Sequence, residues 1–260
     1  MHKGRVLIIA GSDSGGGAGI QADIKSVTMQ GGYAATAITA LTAQNTKGVF
    51  GVMDVPPEFI EQQINLVLED IGADVIKTGM LHNVKVIESV VKVLEGYPEI
   101  PIVVDPVMVA TSGDSLLQSD AVYAMKSQLI ARAFLVTPNI PEAEVLSGRS
   151  IKNIDDMRQS AKAILAMGAG AVLLKGGHGV GNKITDLLLM ADGSEYVFEN
   201  DRIESNNTHG TGCTLASAIA CNLAKGIDLE DAVGRSILYV REAIKASDGF
   251  GCLKHNYNVN

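Results

Sequence analysis

The chain has 260 residues, 47% hydrophobic and 19% charged, which supplies a substantial core and excludes a disordered chain. Twenty-nine acidic against 21 basic residues give a formal charge of -8, with no Lys/Arg cluster to track a nucleic-acid backbone and only 4% aromatics to stack on bases. No C-x-x-C or Cys/His metal spacing links Cys213, Cys221 and Cys252, no signal-type segment is visible, and no apolar run reaches the roughly 18 residues of a membrane span; a cytoplasmic protein with no nucleic-acid or membrane partner is expected.

Short apolar runs ending in Gly, Asp or Pro alternate with longer segments of helical period. This predicts an α/β fold, a mostly parallel sheet covered by helices, in one domain spanning residues 1–260. The first strand is expected over Arg5–Ala10, followed by a glycine-rich turn and a helix starting near Ile20. The stretch Gly32–Leu41 reads as an antiparallel edge. Helical period follows over Pro57–Ile71, then a strand over Asp74–Lys77, a helix over Asn83–Leu94 and a strand over Ile102–Val104. Asp120–Ala131 reads as a helix, Phe134–Val136 as a strand, Asp155–Met167 as a helix and Val172–Leu174 as a strand. Within Ile184–Phe198 the turn Ala191-Asp192-Gly193 predicts an antiparallel hairpin. An amphipathic helix over Asp228–Ser247 precedes a tail, Gly249–Asn260, whose composition predicts fraying.

Candidate chemistry gathers where strands should end, because ligands of open parallel sheets bind beyond the carboxyl ends of the strands. Ser12-Asp13-Ser14-Gly15-Gly16-Gly17-Ala18-Gly19 follows the first strand but fits neither a Walker loop nor a G-x-G-x-x-G fingerprint; as a bland alternative it is a flexible turn. Asp105 ends the run Pro101–Val104, and Thr137-Pro138-Asn139-Ile140-Pro141-Glu142 ends the next strand. Asp105, Asn139 and Glu142 together suit Mg²⁺, which takes one or two carboxylates plus water and phosphate oxygens. Asn139 and Glu142 also suit a helix cap and first-turn acid. Lys175 heads Lys175-Gly176-Gly177-His178-Gly179 and could neutralise nucleotide phosphates or simply be solvated.

The most pointed motif is Asn206-Asn207-Thr208-His209-Gly210-Thr211-Gly212-Cys213-Thr214, running into the helix-forming Leu215–Ala220. Bare glycine N–H groups at a positive helix terminus form an anion site, and the same dipole favours a Cys213 thiolate. With His209 and the asparagines close in sequence, a Cys-His-Asn thiol hydrolase is the alternative from another class. Cys221 reads as packing and Cys252 as a surface thiol.

Six stretches in order, Ala10–Asp23, Leu41–Thr46, Lys77–Leu81, Val104–Val107, Thr137–Glu144 and Thr208–Thr214, closely resemble the hydroxymethylpyrimidine/phosphomethylpyrimidine kinases of thiamine biosynthesis, nearly end to end. These belong to the ribokinase-like superfamily, so the resemblance implies a three-layer α/β/α sandwich and ATP- and Mg²⁺-dependent phosphorylation of a pyrimidine alcohol and then of its monophosphate. It implies Gln44 as the amide that reads the pyrimidine, with Gly11, Asp23, Met80 and Val107 around the ring. It implies Asp105 and Glu142 at Mg²⁺, Asn139, Lys175 and Thr208 at the nucleotide, and Gly210, Thr211, Gly212 and Cys213 at the transferring phosphoryl group. Many superfamily relatives carry aspartate where this chain has Cys213. A homodimer is implied, and a pyridoxal kinase of the same branch is the nearest alternative.

Overall fold

The computed structural model describes residues 4–109, 116–178 and 181–258. Among them nine strands form one sheet: β1 (Arg5–Asp13), β2 (Tyr33–Asn45), β3 (Gly48–Asp54), β4 (Val75–Thr78), β5 (Ile102–Val104), β6 (Leu135–Val136), β7 (Ala171–Leu174), β8 (Lys183–Met190) and β9 (Glu195–Asp201). Their order is β3-β2-β1-β4-β5-β6-β7-β8-β9. Strands β2, β1, β4, β5, β6 and β7 run parallel, while β3 on one side and β8 and β9 on the other are antiparallel. The expected antiparallel edge at Gly32–Leu41 is therefore corrected: β2 pairs parallel to β1, and it is its partner β3, absent from the predicted elements, that turns back. β3 is largely exposed, with only Gly48 among its residues buried, so its apolar residues Phe50, Val52 and Met53 do not mark a core strand.

The helices are α1 (Gly19–Met29), α2 (Pro57–Asp70), α3 (Val84–Leu94), α4 (Ala121–Ala124), α5 (Ile140–Ser147), α6 (Ile154–Leu165), α7 (Thr211–Ala224) and α8 (Leu229–Lys245). The predicted helix over Asp120–Ala131 is broken: α4 passes into a π turn at Met125–Leu129 and a 3₁₀ turn at Ile130–Arg132. Each parallel strand alternates its side chains between two cores, as a period of two demands. Leu7, Ile9, Ile76 and Val104 pack on α2, α3 and α6; Val6, Ile8, Val75 and Val103 pack on α1, α7 and α8. With each fully buried aliphatic side chain contributing roughly 1.5–3 kcal/mol, both faces hold the sheet, and the result is the three-layer α/β/α sandwich. The second core brings the N-termini of α1 and α7 together at the carboxyl end of the sheet.

The tail does not fray. His209 N donates to Gly251 O, Asn207 Oδ1 accepts from Gly251 N, Thr214 Oγ1 and His255 Nε2 lie 3.0 Å apart, and Tyr239 hydroxyl donates to His255 O. Buried Leu253 and His255 supply apolar and polar anchors that its turn-like composition hides. Its last two residues, like Gly179 of the Lys175 motif, lie outside the described residues.

Candidate active site

Two connected hollows open at the carboxyl ends of the parallel strands. The smaller is lined by Gly11, Ser12, Thr42, Gln44, Lys77, Met80, Val107 and Cys213. The larger, a cleft of about 610 Å³, takes in Asp105, Asn139, Glu142, Lys175, Thr208 and the 210–213 loop, and runs out over Ile237, Val240 and Ile244 of α8. Gln44 and Val107 border both. A cavity sized for a small ring thus meets a cleft sized for a larger ligand, with Cys213 at the junction.

The small cavity depends on local backbone rules. Gly11 is bare because an added Cβ would come 3.1 Å from Met80 Sδ. Strand β2 continues past Leu41 far enough to carry Gln44, whose Oε1 accepts from Thr42 Oγ1 at 3.0 Å. That bond orients the amide and leaves its NH₂ donors to face a ligand. Asp23 departs from its expected place at the ring. It is fully buried behind Lys77, its oxygens taken by Lys77 Nζ at 2.9 and 3.0 Å and by Ser217 Oγ at 2.7 Å, so the cavity meets Lys77 instead.

The phosphate-side loops interlock. Gly210, with φ +83°, caps α7, and a Cβ there would overlap the carbonyl oxygen of Gly17. Only glycine permits both the left-handed turn and this approach. The 14-residue helix behind it gives the bare N–H groups of Gly212 and Cys213 a full macrodipole, while Thr211 N donates to Thr208 O. Asp13 ties the loops together, accepting from the N–H groups of Gly15, Gly17 and Ala18 and lying 2.9 Å from His209 Nε2. Burial would push its carboxyl up, but these partners outweigh burial and hold it at about 2. The glycine stretch is a pinned loop rather than a flexible turn.

Across the cleft, Asp105 Oδ1 accepts from Lys175 Nζ and Thr137 Oγ1, both at 3.1 Å. Lys175 is largely buried, not solvated, and a Cβ on Gly212 would lie 3.4 Å from its Nζ, so its charge sits beside the α7 loop. Burial would lower its pKa, but Asp105 and Glu142 raise it overall, and it stays cationic. Asn139 and Glu142 form a reciprocal capping box at 2.9 Å on α5, so the cap reading holds while both also line the cleft. Glu142 is pushed up to about 7, chiefly by burial and also by Asp105, against the pull of Lys175. Two adjacent carboxylates that both repel one another and face a cleft fit Mg²⁺ carried in on a phosphate ligand. Among the described residues no group of three His, Cys, Asp or Glu forms a cage that would hold a metal without one.

The surroundings of Cys213 disfavour the expected thiolate. Burial, with the nearby Asp23 and Asp105 charges, pushes the thiol up to about 12 against the pull of Lys77. His209, engaged with Asp13, makes no hydrogen bond to Cys213 among the described residues, so the thiol-hydrolase geometry is absent. Of the remaining candidates, Met80 and Val107 wall the small cavity and Thr208 borders the cleft. Lys77 and Asp13 were not singled out by sequence reasoning; a lysine directly after the apolar pair Val75-Ile76, inside a strand, was the available signal for the first.

A parallel sheet with a capped anion loop, a buried lysine–carboxylate pair and a small-ring cavity at one rim defines a ribokinase-like phosphotransferase acting on a small molecule. The phosphomethylpyrimidine kinase family model matches residues 13–260, and the chain belongs to that family. The chain is 46% identical over 249 residues to the hydroxymethylpyrimidine/phosphomethylpyrimidine kinase of Bacillus subtilis, covering 95% of this chain and 91% of that one. It is 49% identical over 250 residues to the thiamine biosynthesis bifunctional protein of Geobacter sulfurreducens, covering 96% of this chain but only 51% of that longer protein. The crystal structure of an ADP complex of Bacillus subtilis pyridoxal kinase superposes with a TM-score of 0.89 at 35% identity, covering 98% of this chain and 99% of that one.

Proposed function

We propose that the protein transfers the γ-phosphoryl group of ATP to the hydroxymethyl oxygen of 4-amino-5-hydroxymethyl-2-methylpyrimidine, and then phosphorylates the resulting monophosphate to the diphosphate. The observation that carries this reading is the junction at Cys213: the α7 anion loop opens on one side to a ring-sized cavity bearing Gln44 and on the other to the cleft of Asp105, Glu142 and Lys175. Gln44 reads the aminopyrimidine edge with its amide donors and acceptor. Gly11, Met80 and Val107 sandwich the ring. ATP lies in the large cleft with Asn139, Lys175 and Thr208 about its phosphates and the apolar face of α8 under its base.

Asp105 and Glu142 hold Mg²⁺ with the nucleotide; when bound, the ion neutralises phosphate charge. The hydroxymethyl oxygen forms the new O–P bond as the bond to the ADP oxygen breaks, and the backbone N–H groups of Gly210, Thr211 and Gly212 receive the transferring oxygens. A loose transition state needs little base catalysis, and the hydroxyl proton leaves late, onto a phosphoryl oxygen. Cys213, protonated at neutral pH, positions the alcohol rather than deprotonating it. The second phosphorylation requires room and cations for the monophosphate, which the 15–19 loop and Lys175 supply.

Likeness to pyridoxal kinases supports a second substrate class, and Gln44 supports the pyrimidine over it. ADP release measured with hydroxymethylpyrimidine, its monophosphate and pyridoxal, with and without Mg²⁺, separates these. Mg²⁺-dependent ADP with both pyrimidines is expected. No ADP with any of the three refutes the kinase reading. A homodimer, in the cytoplasm, completes the proposal; the exposed apolar side chains of the β2–β3 hairpin, Leu41, Phe50, Val52 and Met53, support it.

A further inference from the structure

Among the described residues Lys77 is the largest fully buried side chain to carry a charge, and the phosphoryl transfer set out above leaves it without a part. It is the third residue of β4, on the same face as Val75, which packs in the core against α1 and α7, while Ile76 packs in the core on the other face. Asp23 of α1 accepts two of its hydrogen bonds, and Ser217 of α7 donates to Asp23 from the other side. An ammonium has three donors, and the third finds no protein acceptor among the described residues. Gly79 leaves the space in front of it open, since a Cβ there would lie 3.1 Å from Nζ. Lys77 is part of the small cavity's lining while Asp23 is not, and with no exposed surface of its own the ammonium lies just beneath the cavity wall, with the carboxylate behind it.

Thr42, Gln44, Lys77 and Cys213 all line the same small cavity, and Cys213 lies in the first turn of α7, where the anion loop ends. A ring with its polar edge on Gln44 and its alcohol directed at that loop has Lys77 and Cys213 among its walls. We propose that Lys77 is a catalytic residue of this kinase, donating its free N–H to the hydroxymethyl oxygen that receives the phosphoryl group; this rests on the kinase reading of the site. A fixed cation at that oxygen orients its lone pair toward the incoming phosphorus and stabilises the negative charge that grows as its proton departs. Burial opposes the charge, but Asp23, and after it Asp105, raise the lysine's pKa, so the lysine stays cationic. A charge buried this deeply is costly to maintain for packing alone, where an apolar pair of similar volume is often as stable.

The test has two arms. In the wild-type protein the Lys77 ammonium resonance is followed by ¹⁵N NMR with saturating hydroxymethylpyrimidine and with its 5-methyl analogue, which lacks the hydroxyl. A shift with the alcohol and none with the analogue is expected; no shift with either, or the same shift with both, overturns the proposal. In the second arm D23N/K77M removes both charges together, leaving none unpaired. Expected is a fall in kcat of roughly 100-fold with KM for ATP within about threefold. A folded double variant that keeps kcat within about threefold of wild type overturns the proposal, and if it does not fold the NMR arm decides. An alcohol-specific shift in a protein that releases no ADP leaves the Lys77 contact standing and refutes the kinase reading instead.

Discussion

Burial pushes the Cys213 thiol up, which favours a hydrogen-bonding role over a base at neutral pH. Cys213→Ala should lower kcat by roughly 10- to 100-fold in an ADP-release assay while Cys213→Ser, which keeps the hydrogen bond, loses less; wild-type turnover in Cys213→Ala would exclude any role in the reaction. Asp13 illustrates the opposite balance. Its folded pKa of about 2 lies below the ordinary 3.8, so the native state holds the proton less tightly than the unfolded chain. Its contribution, about 2 kcal/mol, is fully present above pH 4 and lost as pH falls toward 2. Asp13→Asn should therefore reduce stability at pH 7 by about that much and flatten the acid limb of a denaturation series over that window. An unchanged pH 7 midpoint would show that the loop is held by other contacts.

Helix α7 owes its position to partners far off in sequence, and the tail is one of them. Thr214 in its first turn lies 3.0 Å from His255, whose pKa burial and the Lys25 charge depress to about 4 from 6.5. Here the unfolded chain binds the proton more readily, so stability falls as pH drops from 6.5 to 4, by up to about 3 kcal/mol. His255→Gln should remove that slope, read from thermal midpoints across the interval. Gly210→Ala tests the same helix end: a side chain at φ +83° against Gly17 O should abolish activity or prevent folding, whereas Gly193→Ala, in a turn with nothing near, should cost only its backbone strain. The buried parallel strands β1, β4, β5, β6 and β7, with α2, α3 and α6, were legible because apolar period maps directly onto burial, whereas β2 was read as an antiparallel edge. The α5 capping box was legible from Asn139 and Glu142 at their three-residue spacing. What the sequence hid carries no apolar period: β3, which pairs with β2 only 3 to 14 positions away without burying a face, the ordered tail, and the Asp23–Lys77 pair, whose two members lie 54 residues apart.

At the scale of the molecule, the sheet closes one edge with β9 and leaves the other at β3, where Phe50 is 73% and Met53 61% exposed. Apolar edge strands are either covered or prone to pairing, and a second copy is the simplest cover. Light scattering should give twice 27.3 kDa for the wild-type chain and the monomer mass for Phe50→Asp/Met53→Asp, with a wild-type monomer sinking the dimer. The two layers of helices were foreseeable from the alternation of strands and helices; this edge was not, because exposed hydrophobic residues in a sequence look like core. The clasp between Asp13 and His209 spans 196 residues, and Gly251 and His255 lie further on still. During synthesis from the N-terminus, the glycine loop waits without its partners until nearly the whole chain has emerged. The nascent protein therefore builds much of its sheet long before it can bind a phosphate, and the site becomes competent in a single late closure.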